Sequence, residues 1–159
     1  MPILIALLAA IISLLTACGS ASAPVGAKPP TSIVVDAAMT QEQFEAIADA
    51  VVVWNERLGV EALAIVVEDD CSKWPDGVCI AVCPVDDGAL AETWGRLKGR
   101  VCLRDATVDA QGIIEHELGH VLGLDDVEQP GRLMNVDWTG GDDVTVAEAE
   151  AALEFWLVH

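Results

Sequence analysis

Two of the three histidines in this chain, His116 and His120, stand four residues apart, and Glu117 directly follows the first. Residues 108–122 carry apolar side chains at helical spacing and stop at Gly123, which predicts a helix. A step of four residues advances about 400° around a helix, so both imidazoles leave one face, a turn apart, within reach of one metal ion. Glu117 lies about 100° round from His116, a poor place for a third ligand and a good one for taking a proton from water held at that ion. Gly123 sits where a left-handed residue ends the helix and reverses the chain. Asp126 can then swing back toward the histidines. Asp125 is adjacent and competes for the role; spacing favours Asp126. A helix that breaks at a glycine to bring a carboxylate back onto its own face is a narrow demand, and the rest of the fold must accommodate it.

The remaining pattern predicts the scaffold. Residues 32–35 form a β-branched run suited to a first strand. Thr40 with Gln43 makes a capping box for a helix whose Phe44, Ile47, Ala48, Val51, Trp54 and Leu58 recur at helical spacing, with Gly59 as its stop. Short strands are expected at 62–67, 78–82, 89–93 and 100–104, separated by turn residues. Thr145 with Glu148 caps a last helix, with Val146, Ala149, Leu153 and Trp156 as its apolar stripe and Glu148 and Glu150 as solvated positions. This order predicts an α+β domain, helices packed on a small twisted mixed sheet, without internal repeats.

The run HELGHVLGLDD, residues 116–126, resembles the metzincin zinc-binding consensus HExxHxxGxxH/D, with Asp126 in the third-ligand place. Leu133-Met134-Asn135 resembles the Met-turn of that family, and the helix containing Val53-Trp54-Asn55 sits where matrixin-like members have their first helix. Most members place His third; snapalysin-like enzymes use Asp, so the chain is more similar to them there. The resemblance implies a metzincin-like (zincin) fold and a zinc-dependent endopeptidase. It makes His116, His120 and Asp126 the ligands of one catalytic Zn²⁺, Glu117 the general base, and Met134 a residue beneath the ion that does not bind it. It also implies that residues 89–93 are the sheet-edge strand that pairs with an extended peptide substrate. Two imidazoles, one carboxylate and an open position suit catalytic zinc. A carboxylate ligand cancels one unit of the ion's charge, which makes the bound water somewhat less acidic. The chain has no Tyr, so the switching Tyr of some metzincins is absent, and no cysteine-switch motif is found. The rival gluzincin arrangement, with Glu148 or Glu150 as third ligand, leaves Gly123 without a purpose. No motif indicates Ca²⁺, and His159, at the chain end, is expected to be frayed rather than liganded.

Residues 1–17 are uncharged and nearly all apolar, and no Lys or Arg precedes the run. They end at Leu15-Thr16-Ala17-Cys18, which resembles a bacterial lipobox. That implies a signal peptide over 1–17, lipidation at Cys18, and export with anchoring to a cell envelope; Gly19 gives no sorting instruction between membranes. A plain secretory signal and a permanent transmembrane helix are the alternatives. Residues 18–31, small and Pro-rich, read as a tether, and 32–159 as the folded domain. Cys71, Cys79, Cys83 and Cys102 are even in number, so two disulfides are expected in an oxidising compartment, with three pairings open. Cys79-x3-Cys83 as a zinc pair is the rival, but it lacks a second compact pair. With 26 Asp+Glu against 8 Lys+Arg the formal charge is −18, which repels phosphate backbones and excludes nucleic acid as a partner. The expected partner is a peptide or protein substrate, with the membrane reached through lipid only and the protein monomeric. The second functional expectation is a non-catalytic surface lipoprotein that binds peptides or a partner and uses the metal structurally. A decayed metzincin serving as an adhesin comes third and conflicts with an intact Glu117.

Overall fold

The computed structural model of the chain describes residues 28–85, 90–104, 110–136 and 143–159. The apolar run 1–17, Cys18 and most of the expected tether lie outside the described residues. Among the described residues no helix is long and apolar enough to cross a membrane.

Five short strands build one mixed sheet: β1 (Thr31–Asp36), β2 (Leu63–Glu68), β3 (Gly77–Val82), β4 (Ala91–Trp94) and β5 (Gly99–Leu103), in the order β2-β1-β3-β5-β4. The pairs β1/β2, β1/β3 and β3/β5 are parallel, and β4 runs antiparallel to β5 at the sheet edge. A parallel pair needs a long crossover, and α1 (Gln41–Leu58) provides the one between β1 and β2. The Thr40 side chain accepts from the Gln43 amide while the Gln43 side chain accepts from the Thr40 amide, so both sides of the expected capping box form. Gly59, at φ 68°, ends the helix as expected. Asn55 then ties it to the next strand, its Oδ1 accepting from the Ala62 and Leu63 amides and its Nδ2 donating to the Leu63 carbonyl.

Side chains alternate across a strand, and the two faces of the sheet are covered differently. Ile33, Val35, Ile80, Val101 and Leu103 enter the main core with Ile47, Trp54 and Leu58 of α1, Ile114 and Leu118 of α2 (Ala110–Val121), and Trp156 of α3 (Val146–Val158). Val34 and Cys79 point the other way and pack with Cys71. The structure joins Cys71 to Cys79 and Cys83 to Cys102, with Cα separations of 5.2 Å in both pairs. Sequence alone left the pairing open because it depends on strand order: β3 and β5 are neighbours, so Cys83, just past β3, reaches Cys102 on β5. Each such bridge contributes about 2.5–3.5 kcal/mol by constraining the unfolded chain. The Cys79-x3-Cys83 metal pair is ruled out, since each of the two is bonded elsewhere.

Four further expectations need correction. Thr31 belongs to β1 rather than to the tether, and Lys28 already lies on α3, with its ammonium donating to the Trp156 carbonyl and sitting 5.0 Å from the centre of that ring. The strand expected at 89–93 is shifted, running from Ala91 to Trp94. Val146 is exposed, and Ala152 takes its place in the buried stripe of α3. Glu148, expected in solvent, is buried.

Candidate metal centre

α2 carries His116 and His120 on one face, with ring centroids 4.9 Å apart and planes at 87°. The helix ends at Gly123, whose φ of 91° is left-handed. Its amide donates to the His120 carbonyl at 3.0 Å, and the Leu124 amide donates to the Gly119 carbonyl at 3.0 Å, the paired bonds of a Schellman turn. A β-carbon at Gly123 would also lie 2.3–2.7 Å from ring atoms of Phe155 on α3. Both the backbone sign and the packing therefore require glycine there.

The turn carries Asp126 back over the helix. Its Oδ1 lies 3.3 Å from His116 Nε2 and 3.5 Å from His120 Nε2. One ligand atom from each of the three residues falls within 4.8 Å of the other two, and among the described residues this is the one His/Cys/Asp/Glu group arranged to hold an ion. Asp125 turns away and pairs with Arg96. The spacing argument for Asp126 over Asp125 thus agrees with the geometry. Glu150 is exposed, and Glu148 is engaged elsewhere, so neither completes a gluzincin site. His159 stacks on Phe155 at 4.3 Å and bonds to the carbonyl of that residue, apart from the other two histidines.

The second nitrogen of each imidazole decides what the cluster can do. His116 Nδ1 lies 2.8 Å from the Leu133 carbonyl, and His120 Nδ1 lies 2.9 Å from the Leu124 carbonyl. A carbonyl only accepts, so both Nδ1 atoms carry a proton, and in the neutral rings it is the Nε2 lone pairs that face Asp126. Three acceptor atoms pointed at one small space repel one another unless a cation or a proton lies between them. This donor set, two imidazoles and a carboxylate with their outer nitrogens fixed, fits a divalent ion such as zinc.

Met134 packs beneath α2. A β-carbon at Gly119 would come 2.3 Å from Met134 Sδ, so the glycine between His116 and His120 is what lets the methionine approach. The Met134 segment is held from two sides at once. Its carbonyl accepts from the Val127 amide at 2.8 Å, and its amide donates to Glu148 Oε1 at 3.1 Å. The other oxygen of Glu148 accepts from the Thr145 amide and hydroxyl, closing the capping box of α3. The Leu133 carbonyl and the Met134 amide belong to one peptide unit, so Glu148, by holding that amide, also fixes the carbonyl that His116 Nδ1 meets.

Glu117 is buried, and its Oε2 accepts a 2.6 Å hydrogen bond from the Thr93 hydroxyl on β4. Burial pushes its carboxyl above the ordinary carboxylate range; the Thr93 hydrogen bond and the nearby histidines oppose that push, and Asp126 adds to it. A divalent cation in the cluster would favour the ionised form further. A cleft of about 710 Å³ opens over Thr93, His116, Glu117, His120 and Asp126, with the exposed Trp94 at its rim. Sequence reasoning did not single out Thr93, Gly119 or Arg96, and it placed Glu148 in solvent. Gly119 had a readable signal, because glycine inside a helix costs about 1 kcal/mol relative to alanine and implies a close approach. Thr93 had none beyond its place in a strand. No family model and no curated protein matches this chain.

Proposed function

We propose that the chain is a zinc-dependent endopeptidase of the metzincin type, with His116, His120 and Asp126 as zinc ligands and Glu117 as the general base. The single observation that carries this is the commitment of both Nδ1 atoms to backbone carbonyls, which turns two imidazole lone pairs and one carboxylate oxygen onto a shared point. A structural zinc site fills its coordination with protein ligands; three ligands beside an open cleft suit a site that keeps a position for water or substrate.

When bound, the ion supplies Lewis acidity, polarising the scissile carbonyl and making water easier to deprotonate. The chain's own residues do the rest. Glu117 takes the proton of the attacking water and passes it to the nitrogen of the leaving amine. β4, at the sheet edge along the cleft, offers its backbone to an extended peptide and aligns the scissile bond. The Leu133 carbonyl holds His116, and the Leu124 carbonyl holds His120. Export with lipid on Cys18 is proposed on the lipobox-like sequence alone, and the two cysteine pairs suit an oxidising envelope compartment.

The test is the full-length chain loaded with zinc and offered a mixed peptide library. Wild type should cleave. Glu117→Ala should keep its zinc and lose turnover by about 10²–10⁴-fold, whereas His116→Ala should lose both zinc and turnover. A Glu117→Ala protein that still cleaves would sink the mechanism. Zinc held at full occupancy without any cleavage by wild type would favour the structural, partner-binding alternative.

A further inference from the structure

We propose that the hydroxyl of Thr93 positions Glu117 for its work as a base, engaging one carboxylate oxygen so that the other is the one presented to the cleft. This rests on the peptidase reading above and adds a residue to it.

The geometry is direct. Thr93 Oγ1 stands 2.6 Å from Glu117 Oε2 and 3.4 Å from the Glu117 backbone carbonyl. A hydroxyl has one proton to give, and the shorter contact, to an acidic group, takes it. Oε2 is then committed, and since Glu117 lines the cleft, Oε1 is the oxygen left to receive a proton. A free glutamate side chain has three torsions and samples many orientations. A fixed bond at its tip removes that freedom before substrate arrives.

The hydroxyl is itself well placed to do this. Thr93 is β-branched and therefore stiff at χ1, and it sits in a strand rather than a loop. The turn following that strand is pinned to the same helix: the Leu97 amide donates to the Val121 carbonyl at 2.9 Å. Leu97 holds a left-handed φ of 55° at this point and packs its side chain against the core. A bulky apolar residue in that region is uncommon and strained, so the surrounding contacts hold the turn in place. The β4–β5 hairpin thus meets α2 at Glu117 and again at Val121, four residues and about one helical turn further on. Two tethers a turn apart fix the strand along the helix and leave the Thr93 hydroxyl little room to move.

Thr93→Val removes the hydroxyl and keeps the branched shape; Thr93→Ser keeps the hydroxyl and removes the methyl. The full-length zinc-loaded proteins should be compared for zinc content, kcat and KM on one cleaved peptide. Thr93→Val should lower kcat by about tenfold to a hundredfold with zinc content and KM little changed, since misaligned groups of this kind lose rate at that scale. Thr93→Ser should recover most of the loss. A crystal structure of zinc-loaded Thr93→Val should show the Glu117 carboxylate turned from its wild-type orientation. Equal kcat for Thr93→Val and an active wild type, or a Thr93→Ser protein as slow as Thr93→Val, would overturn the role of the hydroxyl while leaving the peptidase reading intact. A zinc-loaded wild type that cleaves nothing would overturn that reading, and the positioning of a base with it.

Discussion

Gly123 carries two independent demands, and both act in the same direction. Any other residue there must hold a φ of 91°, and its β-carbon must overlap the Phe155 ring. The backbone strain costs about 1–2 kcal/mol and overpacking about 1–3 kcal/mol. Gly123→Ala should therefore lose about 2–5 kcal/mol in urea denaturation and bind zinc more weakly, because the displaced turn carries both Asp126 and the Leu124 carbonyl. A variant as stable as wild type would show that the turn tolerates a side chain. Gly119 is a different case. Alanine there gains about 1 kcal/mol of helix propensity, while the clash falls on the movable end of Met134, so the two effects oppose. The sequence already marked Gly123, because a glycine three residues past the second histidine has few other uses. It could not mark Thr93, whose meaning depends on a helix that begins about twenty residues later and packs beside it.

Among the elements, α3 has the least expected role. Its pattern reads as an amphipathic helix that covers the core, and Ala149, Ala152 and Trp156 do cover it. Its first turn does more, since Glu148 caps the helix and also holds the Met134 amide. Glu148→Ala should cost about 2–4 kcal/mol, combining a lost cap partner with a buried amide left without an acceptor. Zinc affinity should fall as well, because the Leu133 carbonyl that orients His116 belongs to the same segment. Glu150→Ala, on the exposed face two residues on, should change stability by no more than about 0.5 kcal/mol. Equal effects in the two variants, read by denaturation and zinc competition, would remove α3 from the site. In sequence Glu148 was marked only as the cap partner of Thr145, because helical periodicity does not say which loop lies against which turn.

At the scale of the molecule, the site gathers one end of the sheet, the central helix and the returning loop, so an ion bound there should report on the whole fold. Zinc held at a thousand times its Kd stabilises the folded state by about 4 kcal/mol, which for a domain of this size raises Tm by roughly 10–20 °C. Chelation should lower Tm by that amount and added zinc restore it, while His116→Ala should respond to neither. A melting temperature indifferent to chelator in wild type would mean that the three side chains hold no ion. The two cysteine pairs secure parts of the sheet that the helices do not cover, one behind β1 and β3 and the other between β3 and β5.

What the sequence determined by itself was local and periodic. Helices with their caps, most strand positions, the one-turn spacing of His116 and His120, and the need for a reversal at Gly123 all follow from neighbours a few residues apart. Tertiary structure decided the rest: which cysteines meet, that Glu148 is buried, and that Thr93 holds Glu117. Each of these depends on contacts between elements far apart in the chain, and those are set by how the sheet is ordered and how the helices pack on it.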